Sequence, residues 1–341
     1  MKVARFAVAV AFGISLLACG SSPSTQVVPG KKIAFLVPDS RSPRYETQDR
    51  PVFQAKVQSM CLDCSVIYRN ANGDSAAQRQ QAESALAAGA NVIVLDPVDG
   101  TAAAAILQSA AKRHVPVVTY DNTSDVGYFV GFDEAAIGAL QASALLAAMK
   151  APAKPTIVML HGDPTGRDAN VLKAAVHGAL DGKVTIAKEF DTPASSSDGA
   201  QSEMTLALTA LQNKVDGVYA ANDEVASGAV LAMKQAHLKT LPPVTGDDAQ
   251  LSAVQRIIAG DQYMTVYRPV RQEAEAAAQL AYDLAFGVTL PPSLSGGKVL
   301  IQPVAVTRRT LVSTVIADGF WTRTDICTAA YEKACKAAGL T

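Results

Sequence analysis

Histidine is sparse in this 341-residue chain, and the four present (His114, His161, His177 and His237) have no metal-ligand spacing. No G-x-S-x-G, no Walker loop and no G-x-G-x-x-G is found, which removes the usual nucleophile elbow, phosphate loop and dinucleotide fingerprint. Charged residues make up 18%, the net charge is −1 and no basic stretch runs long, so nucleic acid is excluded as a partner. Beyond the first twenty residues no long apolar run occurs. What remains is apolar, at 49%, which is enough for real cores.

The N-terminus is the most distinctive stretch. Lys2 and Arg5 precede an uncharged run over Phe6–Ala18, followed by Cys19. Such a run is too short for a permanent membrane span, which needs about 20 apolar residues, and it reads as an export signal. Leu16-Leu17-Ala18-Cys19 resembles a lipobox, in which the signal is cut before the cysteine and the cysteine is lipidated. The other reading is an ordinary signal with a chance cysteine. Residues 1–18 are thus expected to be a lipoprotein signal peptide and 19–30, rich in Ser, Pro and Gly, a tether. A lipid on Cys19 would be the sole membrane attachment, on the outer face of the cytoplasmic membrane or in the periplasm.

In an exported chain Cys61, Cys64, Cys327 and Cys335 should be oxidised. Cys61-Leu62-Asp63-Cys64 sits late in a helical segment, whereas redox C-x-x-C motifs open a helix after a strand. A local structural disulfide is the favoured reading, with redox chemistry as the alternative. Cys327 and Cys335 lie eight apart in a helical stretch. An unbroken helix would hold them ~12 Å apart, and a disulfide tolerates only about 4.4–6.8 Å between Cα atoms, so a bond demands a helix break, with Thr328 a place to restart. No histidine lies near either pair, which disfavours zinc.

Short Val/Ile/Leu runs alternate with Ala-rich helical stretches, starting at Lys32–Val37 and ending with the helix Arg271–Phe286. Runs without polar alternation are strands buried on both faces, and strand–helix alternation means parallel βαβ units. The pattern occurs twice, each time over about a hundred residues. The predicted fold is α/β, two doubly wound parallel-sheet domains joined by a three-crossing hinge. The expected lobes are 31–127 plus 269–300 and 128–268 plus 301–318, with 319–341 as a C-terminal extension. The crossings are expected near Asp125, Tyr267 and Leu300.

In such sheets the ligand lies beyond the C-terminal ends of the strands. Those ends carry Arg44 and Tyr45, Asp96, Asp121 and Asn122 in the first half. In the second half they carry Arg167, Asp168, Asn170, Asn222, Asp248 and Arg268. Carboxylates, amides and guanidiniums together satisfy hydroxyls that both donate and accept, and Tyr45 can cover a ring face. Asp99, Asp133 and Asp198 are read instead as helix N-caps. Asp247 and Asp248, adjacent on an extended end, should point opposite ways, which disfavours a shared proton or ion. His161 ends a strand and is a weaker cleft candidate.

With these segments in place the chain resembles the ribose/xylose-type periplasmic sugar-binding proteins of ABC transporters, and most of all their D-xylose-binding branch. The matching stretches include Arg44-Tyr45 with Asp49-Arg50, Asn70–Gly73, Pro97–Gly100, Tyr120-Asp121, Phe132-Asp133, Ala221-Asn222-Asp223, Gly246–Ala249, Arg256–Gly260 and Met264–Pro269. The resemblance implies ligand contacts from Arg44, Tyr45, Asp121, Asn222, Asp248 and Arg268. Three departures stand out. Asn122 replaces the family's arginine, Thr192–Ser197 lacks the branch's tryptophan, and Arg167–Asn170 replaces a paired-asparagine loop. Either Phe190 or Tyr267 covers the ring, or the pocket is wider there.

The function implied is a monomeric, non-catalytic, cofactor-free receptor. It captures a monosaccharide, a pentose or related sugar, and delivers it to an ABC permease and its ATPase subunit. The alternative is a sugar-sensing subunit for a membrane histidine kinase or chemoreceptor. An enzyme would need an activated nucleophile or a spaced carboxylate pair.

Overall fold

The computed structural model describes residues 30–40, 44–121, 127–149, 154–291, 294 and 297–340. Cys19, Asn122 and Asp125 lie outside the described residues.

The first sheet is built from β1 (Lys32–Val37), β2 (Ser65–Asn70), β3 (Val92–Leu95), β4 (Val117–Asp121), β5 (Tyr128–Phe132) and β10 (Lys298–Ile301). Its order is β10-β5-β4-β3-β1-β2, and every pairing is parallel. Central β1 and β3 are buried almost throughout, while edge strand β2 is half-buried, which explains why only the former read as unbroken apolar runs. Helices α1 (Arg50–Met60), α2 (Ser75–Ala87) and α3 (Gly100–Lys112) connect these strands. Helix α9 (Val270–Phe286), although late in the chain, packs Ala274, Ala277, Ala278 and Ala281 into the same core as Ile33, Phe35, Phe53 and Tyr120.

The second lobe holds β6 (Thr156–His161), β7 (Thr185–Asp191) and β8 (Gly217–Ala220), in the parallel order β7-β6-β8. Val244 extends this sheet by a parallel bridge to Val218. An antiparallel pair, β9 (Met264–Tyr267) with β11 (Val304–Thr307), completes it. Helices α4 (Glu134–Ala148), α5 (Arg167–Leu180), α6 (Ser197–Ala210), α7 (Asp223–Gln235) and α8 (Leu251–Ala259) cover it. The architecture is two doubly wound α/β domains with the chain passing between them three times.

The strand pairings revise one expected boundary. Residues 128–132, expected to open the second lobe, are hydrogen-bonded between β4 and β10 of the first sheet. The crossing into the second lobe follows Phe132, because Asp133 caps α4, whose apolar face packs with α5, β8 and β9. Polar residues at strand ends act repeatedly as caps. Asp99 and Asp133 accept amides of the next helix, each contribution being about 1 kcal/mol. Asp198 does not cap; Ser196 does, accepting from Gly199 N, and Asp198 sits in the first turn of α6.

Both cysteine pairs are disulfides, Cys61–Cys64 and Cys327–Cys335. The second forms because the helical stretch breaks. Helix α10 (Arg323–Ile326) stops at Cys327 and α11 (Glu332–Ala337) restarts at Glu332. Ile326, Cys335 and Leu340 of this C-terminal extension are buried against α8, β9 and β11, and the lone tryptophan, Trp321, donates to Ala249 O at 2.8 Å.

Candidate functional site

Two arginine clusters form at the carboxyl ends of the two sheets. In the first lobe Arg44 stands after β1, at the start of a wide π-helical turn over Tyr45–Asp49. Its guanidinium makes a fork on Asp49, at 2.8 and 3.1 Å. It also donates to Glu273 Oε2 at 2.8 Å and to Asp121 Oδ2 at 3.2 Å. Burial alone would lower the Arg44 pKa; the charges of Asp121, Asp49 and Glu273 outweigh it and hold the guanidinium well above its ordinary value. Burial, together with the charge of Asp121, pushes the Glu273 carboxyl well up. Asp49 also accepts from the phenol of Tyr120.

Asp121 ends β4 with φ of 59°, a left-handed backbone that Asp tolerates better than most residues. Its Oδ1 is buried and has no hydrogen-bond partner among the described residues, as is true of Glu273 Oε1 and of Asp247 Oδ1 in the second lobe. A buried carboxylate oxygen left unpaired is costly.

In the second lobe Arg268 follows β9. It donates to both carboxylate oxygens of Glu134, at 2.7 and 3.1 Å, and to Asp247 Oδ2 at 2.6 and 3.1 Å. Asp248 Oδ1 lies 3.8 Å from its Nε. Adjacent Asp247 and Asp248, expected to point apart, thus face one guanidinium. The reason is backbone: Asp248 has φ of 93°, so the segment is not extended there. Three acids share one base. Burial pushes the Glu134 carboxyl up to about 7 despite Arg268, and the surrounding protein and neighbouring Asp247 push Asp248 up to about 7. Asp248 nevertheless keeps 42% of its side chain open to solvent, and it feels the charges of Asp121 and Arg44 from the other cluster.

A buried hub aims the Asp247–Asp248 segment. Asp223 Oδ2 accepts Gln250 N and Thr265 Oγ1, both at 2.9 Å, and Oδ1 accepts Gln262 Nε2 at 2.8 Å. Its own amide donates to Asp247 O at 3.0 Å. Arg256 closes the hub with bonds to Gln262 Oε1 and Asp223 O, both at 2.9 Å. Only glycine fits at 246, where a Cβ would lie 2.0 Å from Asp223 Oδ1. Several of the motif residues therefore build the scaffold rather than the cleft.

The remaining candidates fall into different places. Tyr45 is 6% exposed. Its phenol donates to buried Asp96 at 2.6 Å and its ring lies 5.3 Å from the Arg44 guanidinium. Tyr45 is therefore a packed support for Arg44 rather than the free ring cover expected, and Asp96 anchors it from beneath. Asn222 spends Oδ1 capping α7, at 3.0 Å from Val225 N, leaving its amide nitrogen as the donor to offer. Asn170 is exposed, and its amide folds back on Pro164 O and Gly166 O at 3.1 and 2.9 Å; the structure does not bring it to either cluster. Arg167 is exposed at the first turn of α5, while half-buried Asp168 lies within electrostatic reach of Glu134.

Neither proposed substitute ring is available. Tyr267 is 3% exposed, hydrogen-bonded to Asp318 and packed 4.9 Å from Phe320; Phe190 packs on the core beneath α6 and α7. The loop after β7 is tied down through Asp163, whose Oδ2 accepts Ala194 N at 2.8 Å. His161 pairs with Glu189, at 3.0 Å, away from both arginine clusters. Sequence reasoning missed the acids that hold the arginines, namely Asp49, Glu273, Glu134 and Asp247. The available signals were local: Asp49 lies one helical turn beyond Arg44, and Glu134 adjoins a cap.

Residues 33–288 match the family described as the periplasmic binding protein domain. The D-xylose-binding periplasmic protein of Haemophilus influenzae is 32% identical, over 86% of this chain and 92% of its own. The D-xylose-binding periplasmic protein of Escherichia coli is 31% identical, over 85% of this chain and 90% of its own. A periplasmic ribose ABC transporter structure from Conexibacter woesei superposes with a TM-score of 0.76 at 19% identity, over 90% of this chain and 98% of its own, and shows the fold alone. A family match spanning most of the chain makes it a member of the periplasmic binding protein family, whose members bind solutes rather than transform them.

Proposed function

We propose that this chain captures a monosaccharide, a pentose or related sugar, between the Arg44 and Arg268 clusters and delivers it to an ABC importer. Arg44, Asp121, Asp248 and Arg268 are the proposed contacts, with the Asn222 amide as a further donor. The observation that carries the reading is the unpartnered, buried Oδ1 of Asp121, in electrostatic reach of the solvent-open Asp248. Sugar hydroxyls would donate to Asp121 Oδ1 and to the solvent-open Asp248, and charge-assisted bonds of this kind are roughly twice as strong as neutral ones.

The lobes proposed to close on the sugar are 31–132 with 269–301, and 133–268 with 302–318; residues 319–340 pack on the second. Export, with a lipid on Cys19 and residues 19–30 as tether, would hold a monomeric receptor near the permease and its ATPase subunit. With no flat ring in the Thr192–Ser197 loop, the pocket is proposed to be wider on that side.

Calorimetric titration of the mature chain with D-xylose, D-ribose, D-glucose and D-galactose tests the reading. Tight binding of at least one is expected, with hexoses within about tenfold of xylose, a gap of about 1.4 kcal/mol. Tight binding of xylose alone overturns the wider pocket, and binding of none overturns the assignment.

A further inference from the structure

Two histidines and a glutamate converge on the outer edge of the second lobe, apart from both arginine clusters. His161 is the last residue of β6, Glu189 lies on β7, the edge strand of its sheet among the described residues, and His177 is in the last turn of α5. Nε2 of His161 lies 3.0 Å from Glu189 Oε1, and Nε2 of His177 lies 2.9 Å from the same oxygen. The three donor atoms all fall within 4.8 Å of one another. The two imidazoles lie nearly parallel, with centroids 5.6 Å apart.

We propose that His161, His177 and Glu189 form a binding site for a borderline divalent cation of the zinc class. Two imidazole nitrogens and one carboxylate oxygen are a donor set that suits zinc, and a tetrahedral ion leaves the fourth position to water. Bonds of about 2.0–2.1 Å put tetrahedral donors about 3.3 Å apart, so each nitrogen–oxygen pair has to open by only a few tenths of an ångström. The second shell is in place on α5. His177 Nδ1 bonds Asp181 Oδ1 at 3.1 Å, the carboxylate–histidine relay that turns the opposite nitrogen toward a metal. Entry is open from solvent, since His177 is 26% and Glu189 32% exposed. His161 is 2% exposed and forms the inner wall. The ion would clamp edge strand β7 to β6 and α5.

Lys173 is the competitor. Its ammonium lies 3.4 Å from Glu189 Oε1 but 2.7 Å from Asp191 Oδ1. A bound dication would repel it onto Asp191 alone. Removing that charge should therefore strengthen metal binding, a result that a purely ion-paired cluster does not give.

The test is calorimetric titration of chelator-treated, mature full-length protein with Zn2+ at fixed pH, with Co2+ absorption as a geometric readout. One ion per chain and an intense, tetrahedral-type cobalt spectrum are expected. Glu189→Gln and His177→Ala should each weaken binding by at least about tenfold, Asp181→Ala should do so by about tenfold, and Lys173→Gln should tighten it. Sugar binding by each variant, measured alongside, shows that it is folded. Zinc binding equally tight in His177→Ala and Glu189→Gln overturns the site, as does a weak, octahedral-type cobalt spectrum in the parent.

Discussion

Arg44 and Arg268 hold comparable positions in the two lobes, and each faces three carboxylates, but the clusters are finished differently. Around Arg44, Asp49 and Glu273 are fully buried and Asp121 is 17% exposed. Tyr120 donates to Asp49, and Tyr45 lies alongside, anchored on Asp96. Around Arg268, Glu134 and Asp247 are buried, but Asp248 is 42% exposed and an apolar ring, Phe132, lies 5.6 Å from the guanidinium. The first cluster is closed off by phenol donors and leaves two buried oxygens, Asp121 Oδ1 and Glu273 Oε1, without partners among the described residues. The second leaves the Asp248 carboxylate open to solvent. The first cluster is thus the drier and the second the wetter.

The strongest test of that comparison removes each arginine. Arg268→Met and Arg44→Met each strand buried carboxylates without their partner, and breaking a buried ion pair from one side costs about 3–5 kcal/mol. Both variants should lose stability on that scale in urea titrations. A loss under about 1 kcal/mol at either position would mean that its acids do not depend on the arginine.

Ligand affinity gives the next largest effect. Asp121→Asn and Asp248→Asn should each weaken sugar binding by about 2–3 kcal/mol, since each removes a charged acceptor from a hydroxyl. Stability should change less in Asp248→Asn, whose side chain is wet, than in Asp121→Asn, which also contacts Arg44. Parent-like affinity in either variant removes that residue from the proposed site.

Protonation acts on both clusters. Glu134 is raised from 4.5 to about 7, so the native state holds this proton more tightly than the unfolded chain. Its stabilising contribution is complete below pH about 4.5 and is lost as pH rises toward about 7, at up to about 1.4 kcal/mol per pH unit. Buried Glu273 and Asp223, also raised, act in the same direction. Stability should therefore decline between pH 5 and 7, and Glu134→Gln should flatten part of that decline. An unchanged slope in Glu134→Gln, measured by chemical denaturation across this range, would show that Glu134 is ionised throughout.

The order of strands and helices was legible because central strands such as β1 and β3 are buried on both faces and carry unbroken apolar runs. The first crossing was not. Tyr128–Phe132 has the same composition whichever sheet it joins, and only its strand pairing, to β4 on one side and distant β10 on the other, decides it. Arg44, Asp121, Asp248 and Arg268 could be named from strand ends, since their places follow from the βα repeat. Two of their partners could not, because Glu273 and Glu134 come from helix starts distant in the chain from the arginines they hold. Tyr45 was misread for a related reason. A tyrosine beside an arginine after β1 looks like a ring cover until a long-range partner, Asp96, is found beneath its phenol.

Phe132 offers the finest test. It is 2% exposed, and its ring faces a guanidinium already claimed by three acids. Phe132→Leu keeps an apolar side chain but loses the ring quadrupole, worth about 0.5–1 kcal/mol at such sites, plus some packing. A loss of about 1 kcal/mol is expected, with sugar affinity nearly unchanged, because Glu134 and Asp247 fix Arg268 through hydrogen bonds. The counterpart Tyr120→Phe keeps its ring and removes only the donor to Asp49. Hydrogen bonds to charged groups contribute about 1.5–3 kcal/mol, so that variant should lose more than Phe132→Leu. The reverse order would mean that the ring face, rather than the phenol donor, is the stronger brace, and the contrast between a closed first cluster and an open second one would not stand.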